Sequence, residues 1–328
     1  MIRLPEPADV IDAAGVDPES FRAERDRAGR MGRWLWIVGG LMAAALLVLH
    51  FSGMTGRVGL GLMVPGFIGG VFLLIVVVAA GSMVVSRRQQ PVVDRLNAEL
   101  VVPVLRSYAA QIDRLNGTSG SELHLERAEP QWVRAVEVVD TGDRVRTDDA
   151  LVGVLAGEPF MVGEYKVTER RGTKDNRRTV TLFHGTVARV RTARPVAAPL
   201  RIVPRGKENF SGAGLFSGGG IPLENPAMGD GFKVFTDTPQ DAYFVLPQTV
   251  QEGWVMVAQR HGGAMGLRAE GDQLLVALDH GGNVFDVSLR SREPVRTCLE
   301  KIVHQVNDTV EAASLLGAWG GRMERPRL

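Results

Sequence analysis

WLWIVGGLMAAALLVLHF, Trp34 to Phe51, decides how this chain is read. The run holds no Asp, Glu, Lys or Arg, and as a helix rising 1.5 Å per residue it would be about 27 Å long, enough for a thin hydrocarbon core. A second charge-free run, Val58 to Ser86, follows the lone Arg57 and is most apolar from Phe67 to Val85. A charge at the centre of either would cost about 2.5–3.5 kcal/mol on insertion scales, so its absence predicts two spans. They are placed at about 34–51 and 63–85, in a transmembrane hairpin over 34–86. Arg33, Trp34 and Trp36 mark the membrane boundary before the first span, and Arg87 and Arg88 the boundary after the second. Over all 328 residues the composition, 45% apolar and 23% charged, resembles that of an average globular protein, because the charge is confined to the rest of the chain.

The first apolar run begins behind a charged segment and is followed at once by another, which argues against a cleaved signal peptide. Arg22, Arg25, Arg27, Arg30 and Arg33 precede the hairpin and Arg87, Arg88, Arg95 and Arg106 follow it, whereas its turn holds Arg57 alone. The positive-inside rule then puts both termini in the cytoplasm, with two spans. The single cysteine, Cys298, suits a reducing compartment and excludes a disulfide framework or a thiolate metal cage. Residues 1–33 read as a cytoplasmic segment, its first fifteen loosely ordered, with a short polar helix from Phe21 to Arg30. Gly59, Gly61, Gly66, Gly69 and Gly70 suit close packing within the hairpin or a self-association face. The spans carry no Asp, Glu, Lys or Arg, which weakens a transporter or channel reading. Lys+Arg 38 against Asp+Glu 37 argues against nucleic acid as a partner.

Beyond the hairpin, Val93, Leu96, Leu100, Leu105, Ile112 and Leu115 recur at helical spacing, predicting a juxtamembrane amphipathic helix over 87–116, kinked at Pro103. A soluble domain follows over 117–316, with a tail at 317–328. Tyr165 and Val167, then Val180 and Leu182, alternate with polar residues and predict two strands joined by RRGTKDNRR, Arg170 to Arg178, as a hairpin with a basic tip. The second strand is expected to continue through Thr186 to Arg191, with another short strand at 200–203 and an irregular Gly-rich loop at 206–231. Phe232–Phe235 reads as a strand and Thr238-Pro239-Gln240-Asp241 as a capped helix start. A helix around Val250 to Val257 stops at Gly262, strands follow around Leu267 and at 274–278, and the latter is expected to pair with Val284 to Leu289. Val295, Leu299, Ile302, Val306, Val310 and Ala313 form one stripe of a C-terminal amphipathic helix. The fold class is therefore α+β, with an antiparallel sheet and packed helices behind the hairpin.

No HExxH, CxxC or GxSxG occurs, and none of the six histidines has metal-ligand spacing to another. No catalytic, cofactor-binding or metal residue is assigned. His184 and His280 read as structural or solvent-facing, and the neighbouring Asp148 and Asp149 as a strand start or turn rather than an acid/base pair. The glycine run lacks GxxxxGK[ST] and reads as a surface loop. The basic tip suggests contact with anionic lipid headgroups through Arg170, Arg171, Lys174, Arg177 and Arg178, each worth about 1 kcal/mol near such a surface.

DDALVGVLAGEPFMVGEYKV at 148–167, TLFHGTVARV at 181–190, LRIVP at 200–204 and FKVFTDTPQDAYFVLP at 232–247 together resemble a bacterial family catalogued as domain of unknown function 3137. The resemblance covers roughly residues 90–316 and implies an N-terminal membrane hairpin before an α+β domain. It implies no activity, since that family has none assigned. The leading expectation is a non-enzymatic, membrane-anchored module that binds another protein or a second copy of itself. The alternative is a membrane-proximal ligand or lipid sensor, and less so a hydrolase. A deep pocket with several polar groups would favour the alternatives, and a flat apolar patch the leading reading.

Overall fold

The computed structural model describes residues 2–54, 60–129, 138–139, 142–173, 176–206, 210, 220–262, 264–287, 289, 291 and 293–317. Within its helices and strands, side chains at 32, 35, 36, 46, 49–54, 60–70, 73, 77, 194 and 241 fall outside that description. The chain divides into two compact units: 1–16, 101–286 and 299–328 form the first, and 17–100 with 287–298 the second.

The first unit is built on one antiparallel sheet. Its strands are β1 (Glu122–Arg127), β2 (Arg144–Leu155), β3 (Glu158–Arg171), β4 (Arg178–Pro204), β5 (Phe232–Thr236) and β6 (Met265–Asp279). They follow the order β1-β2-β3-β4-β5, with β6 also paired to β4. β2 turns into β3 through Ala156 and Gly157, both at positive φ (50° and 80°), as a tight two-residue hairpin requires. Strand β4 runs unbroken for 27 residues where the sequence suggested separate strands. One of its edges takes β3 and then β5, and the other takes β6 over 185–202. Likewise β6 is a single strand of 15 residues, its register shifting against β4 on either side of the Val196–Gly271 pair.

The core lies on the face carrying Tyr165, Val167, Phe183, Val187 and Ala277, sealed by Val138, Val139 and Phe210. Phe210, near the start of the Gly-rich segment, packs edge-to-face on Phe183 at 5.8 Å, so this segment contributes a core residue. The segment also ends in a helix, α5 (Pro226–Gly231), capped by Asn225 Oδ1 accepting from the Met228 amide. Two more helices follow, α6 (Pro239–Val245) and α7 (Gln248–His261). Thr238 makes no side-chain cap for α6, contrary to the expected pattern. Of the strand anticipated from Val284 to Leu289, the described residues 284–287 and 289 are not in strand conformation. Its partner β6 is already paired with β4, and the Val284 and Phe285 amides instead donate to the Glu164 carboxylate.

The N-terminal residues are held rather than loose. Helix α1 (Pro7–Ala14) buries Val10 and Ile11, and its backbone accepts from Ser107 Oγ at Val10 O (2.8 Å) and Gln111 Nε2 at Asp9 O (2.8 Å). Asn116 closes the strap by accepting from the Arg3 amide (2.7 Å) and donating to the Arg3 carbonyl (3.0 Å). Ser107, Gln111 and Asn116 belong to α4 (Val102–Asn116).

The second unit holds α2 (Arg22–Met54) and α3 (Leu60–Leu96). They run antiparallel side by side: Gln89 Nε2 donates to Ala28 O (2.9 Å), Arg95 pairs with Glu24 (3.4 Å), and a Cβ at Gly39 would lie 3.2 Å from Val78. The helix periodicity after the second run does not continue smoothly to residue 116. Asn97–Val101 forms a π turn, and Pro103 lies in the first turn of α4 directly after it. Among the described residues no helix is long and apolar enough to cross a membrane. Both expected spans include side chains outside the description: 35, 36, 46 and 49–51 in the first, and 63–70, 73 and 77 in the second.

Candidate functional site

Period-two alternation puts Arg144, Arg146 and Asp148 on one face of β2, and Glu164, Lys166, Thr168 and Arg170 on the same face of β3. The register stacks them in rows: Arg144 beside Thr168, Arg146 beside Lys166, and on the far side Thr168 beside Thr181 and Arg170 beside Thr179. This is the face opposite Tyr165 and Val167. The side chains line an open groove of about 840 Å³, bounded also by Asp143. Four basic groups and three hydroxyls meet one carboxylate there. That carboxylate is already engaged, since Asp143 Oδ2 accepts from the Arg170 amide at 2.6 Å. Gly142, at φ 49°, lets the chain approach this closely; a Cβ on it would lie 2.8 Å from the Thr168 carbonyl oxygen.

A sheet gains nothing by such an arrangement alone. Like charges directly opposite one another across two strands, as at Arg146 and Lys166, are destabilising. An anion seated between them removes that repulsion, and the neighbouring hydroxyls can donate to its oxygens. The groove can therefore hold a phosphate-like group.

The next row along the same face is acidic. Glu164 is buried, 3% exposed, and its Oε1 accepts from the Val284 and Phe285 amides, the latter at 2.6 Å. Among the described residues its Oε2 has no hydrogen-bond partner. Burial pushes Glu164 up to about 8 against the pull of those two amides, and Asp286 and Asp148 add to the rise. Asp148 is also raised, by burial and then by Asp286. The register shift between Thr147 and Ala150 leaves it on this face, so it neither starts the strand nor turns it. Asn283 ties the row together by donating to Asp148 Oδ2 (2.8 Å) and Asp286 Oδ2 (3.1 Å), while its Oδ1 meets His184 Nε2 at 2.9 Å.

Further along β4 the face closes. Thr186 Oγ1 lies 3.0 Å from His280 Nε2 and 3.4 Å from Thr309 Oγ1 on α8 (Val295–Ser314). His280 packs edge-to-face on His261 at 4.8 Å, and burial pushes it down to about 3. Thr186 is fully buried, which leaves this pair no route to a substrate. Arg260 holds α8 through Asp308 (3.2 Å) and Glu311.

Of the five residues expected at the basic tip, Arg170 lines the groove, Arg171 bonds Glu169 at 2.5 Å, Arg177 and Arg178 are exposed, and Lys174 lies outside the described residues. Arg144, Arg146 and Lys166 were missed. The signal was present as basic residues at alternate positions in two strands, but only the register joins them. Arg33, Trp34, Arg87 and Arg88 are exposed on α2 and α3, and the Trp36 side chain lies outside the description.

No curated protein matches the chain. One solved structure, that of the mycobacterial trehalose monomycolate transport factor A, is similar at 12% identity and a TM-score of 0.32, over 59% of this chain and 88% of that one. A family model described as a protein of unknown function (DUF3137) matches residues 181–314, so the motif quoted at 148–167 and the groove strands β2 and β3 precede the match. From β4 into α8, over residues 181–314, the chain is similar to the DUF3137 family.

Proposed function

We propose that this protein is a membrane-anchored binding module that holds a phosphate-bearing ligand in the groove between β2, β3 and β4. The observation carrying this reading is the gathering of Arg144, Arg146, Lys166 and Arg170 around three threonines, with Asp143 already bonded elsewhere. Of the expectations drawn from sequence, a polar pocket favours the ligand-binding alternative over a flat protein-docking surface. The anchor is the hairpin over 34–86, in a bacterial inner membrane, with both termini cytoplasmic. It is supported by the two charge-free runs and by large apolar side chains left bare on α2 and α3, such as Leu41 (66% exposed) and Phe72 (68%). The docking of residues 3–11 on α4 in the first unit agrees with a hairpin that returns the chain to its starting side.

The test is titration of the full-length protein in non-ionic maltoside micelles with n-propyl phosphate. Arg146→Gln and Lys166→Gln should each weaken binding by about tenfold or more, as expected for a charge-assisted bond worth 1.5–3 kcal/mol. Unchanged affinity in both variants would end the reading. For the anchor, Asn176→Cys in a Cys298→Ala background should resist a membrane-impermeant thiol reagent in intact cells and react once the inner membrane is opened. Labelling of intact cells would place β3 and β4 on the other side.

A further inference from the structure

Along one face of β2 and β3 the charge changes sign within a single row. Arg146 and Lys166 are followed two residues on by Asp148 and Glu164, and a two-residue step along a strand is about 6.6–6.8 Å. Asp148 and Asn283 in the acidic row are exposed and Asp286 is half-buried, while Glu164 beside them is buried. Asn283 spends both hydrogens of its amide nitrogen on Asp148 and Asp286, fixing those carboxylates at the end of the groove. Beside them sits Glu164, almost wholly buried, with Oε1 taken by two backbone amides and Oε2 without a donor among the described residues. A buried carboxylate oxygen left without a partner is costly unless something completes it.

We infer that the ligand is zwitterionic: its phosphate sits among Arg144, Arg146 and Lys166, and a primary ammonium group docks against Asp148 and Asp286 at the acidic end. This rests on the groove reading above and names its ligand class, phosphate esters of a short amino alcohol. The same chemistry is offered by a free phosphoamine and by an aminophospholipid headgroup. An ammonium placed there adds positive charge beside Glu164, whose other charged neighbours are Asp148 on β2 and Asp286 in the 281–286 turn. Arg127 on β1 and His184 on β4 face Asp148. Lys166 is two places further along β3. Since Glu164 holds its proton up to about pH 8, the incoming cation displaces that proton.

The experiment compares O-phosphoethanolamine with n-propyl phosphate, which has a methyl group in place of the ammonium, on the full-length protein in maltoside micelles by calorimetry. In buffers of different ionisation enthalpy near neutral pH, phosphoethanolamine should bind at least about tenfold tighter and release more protons than propyl phosphate. Asp148→Asn and Asp286→Asn should each shrink that preference to less than about threefold. Equal affinity for the two ligands, or a preference untouched by both variants, overturns the inference and leaves the phosphate groove standing. Binding of neither ligand overturns the groove reading and this one with it. Nanodiscs separate the sources: if the lipid headgroup reaches the groove, phosphatidylethanolamine discs weaken the apparent affinity for soluble phosphoethanolamine relative to phosphatidylcholine discs. Equal affinity in both assigns the site to a free phosphoamine.

Discussion

Helix α8 and the pair α2 and α3 are both rich in apolar residues, yet they solve the burial problem in opposite ways. On α8, Val295, Leu299, Ile302, Val303, Val306 and Val310 are all at most 2% exposed, while Glu300 and Lys301 fall between them on the other side. On α2 and α3, Leu41, Val48, Phe72 and Ile75 are 59–68% exposed, and they stand within runs that hold no Asp, Glu, Lys or Arg. A helix with one apolar stripe finds its cover within the chain, whereas the apolar side chains named on α2 and α3 are left uncovered by the described residues. The contrast also extends to the sheet. Where Thr309 of α8 meets Thr186, the polar groups of β4 are sealed, and where that cover ends, over β2 and β3, they form an open groove.

The largest effect should separate the two kinds of helix directly. Val306→Asp buries an unpaired charge and should cost more than about 4 kcal/mol, read as loss of the cooperative urea transition followed by tryptophan fluorescence. Leu41→Asp should leave that transition in place and act on insertion instead, at about 2.5–3.5 kcal/mol, seen as alkaline extraction of the protein from membranes. If Leu41→Asp also abolished the transition, the distinction between the two helix types would fall.

A smaller effect, on the order of 3 kcal/mol, concerns the sealed carboxyl. Because folding raises the Glu164 pKa from 4.5 to about 8, the native state binds more protons than the unfolded chain over that range, and stability falls as pH rises through it. Glu164→Gln should remove this loss, so its advantage over the parent should grow from pH 5 to about pH 9 in thermal melts. His280 works in the opposite sense. Held down to about 3, it withdraws stability as pH falls below its unfolded value of 6.5, and His280→Gln should flatten the acid side of the same profile. Parallel profiles for all three proteins would show that neither group is sealed.

The smallest effect tests the strap. Asn116→Ala removes both bonds to Arg3 and should cost about 1–2 kcal/mol, visible as faster amide exchange over residues 7–14 with β4 and β6 unchanged.

The stripe of α8, the helix ending at Gly262 and the strand pair around Tyr165 and Leu182 were legible because each depends on periodicity within one element. The single long β4 was not: it read as separate strands because its bends are set by neighbours, with β3, β5 and β6 pairing to different stretches of it. The strand expected from Val284 failed for a related reason, since a buried carboxylate 120 residues away claimed its amides. The site was legible in part. Arg170 was singled out for its charge, but as a member of a loop tip rather than of a groove.

By itself the sequence determined the charge-free runs, the cationic flanks and the alternating strands, because hydropathy and period are properties of neighbours along the chain. Register was decided only by the tertiary structure, and register alone sets Arg146 opposite Lys166 and the acidic row one step beyond. A shift of one residue would turn every one of these side chains to the other face, and that choice is fixed by burying Tyr165, Val167 and Phe183 on the core side.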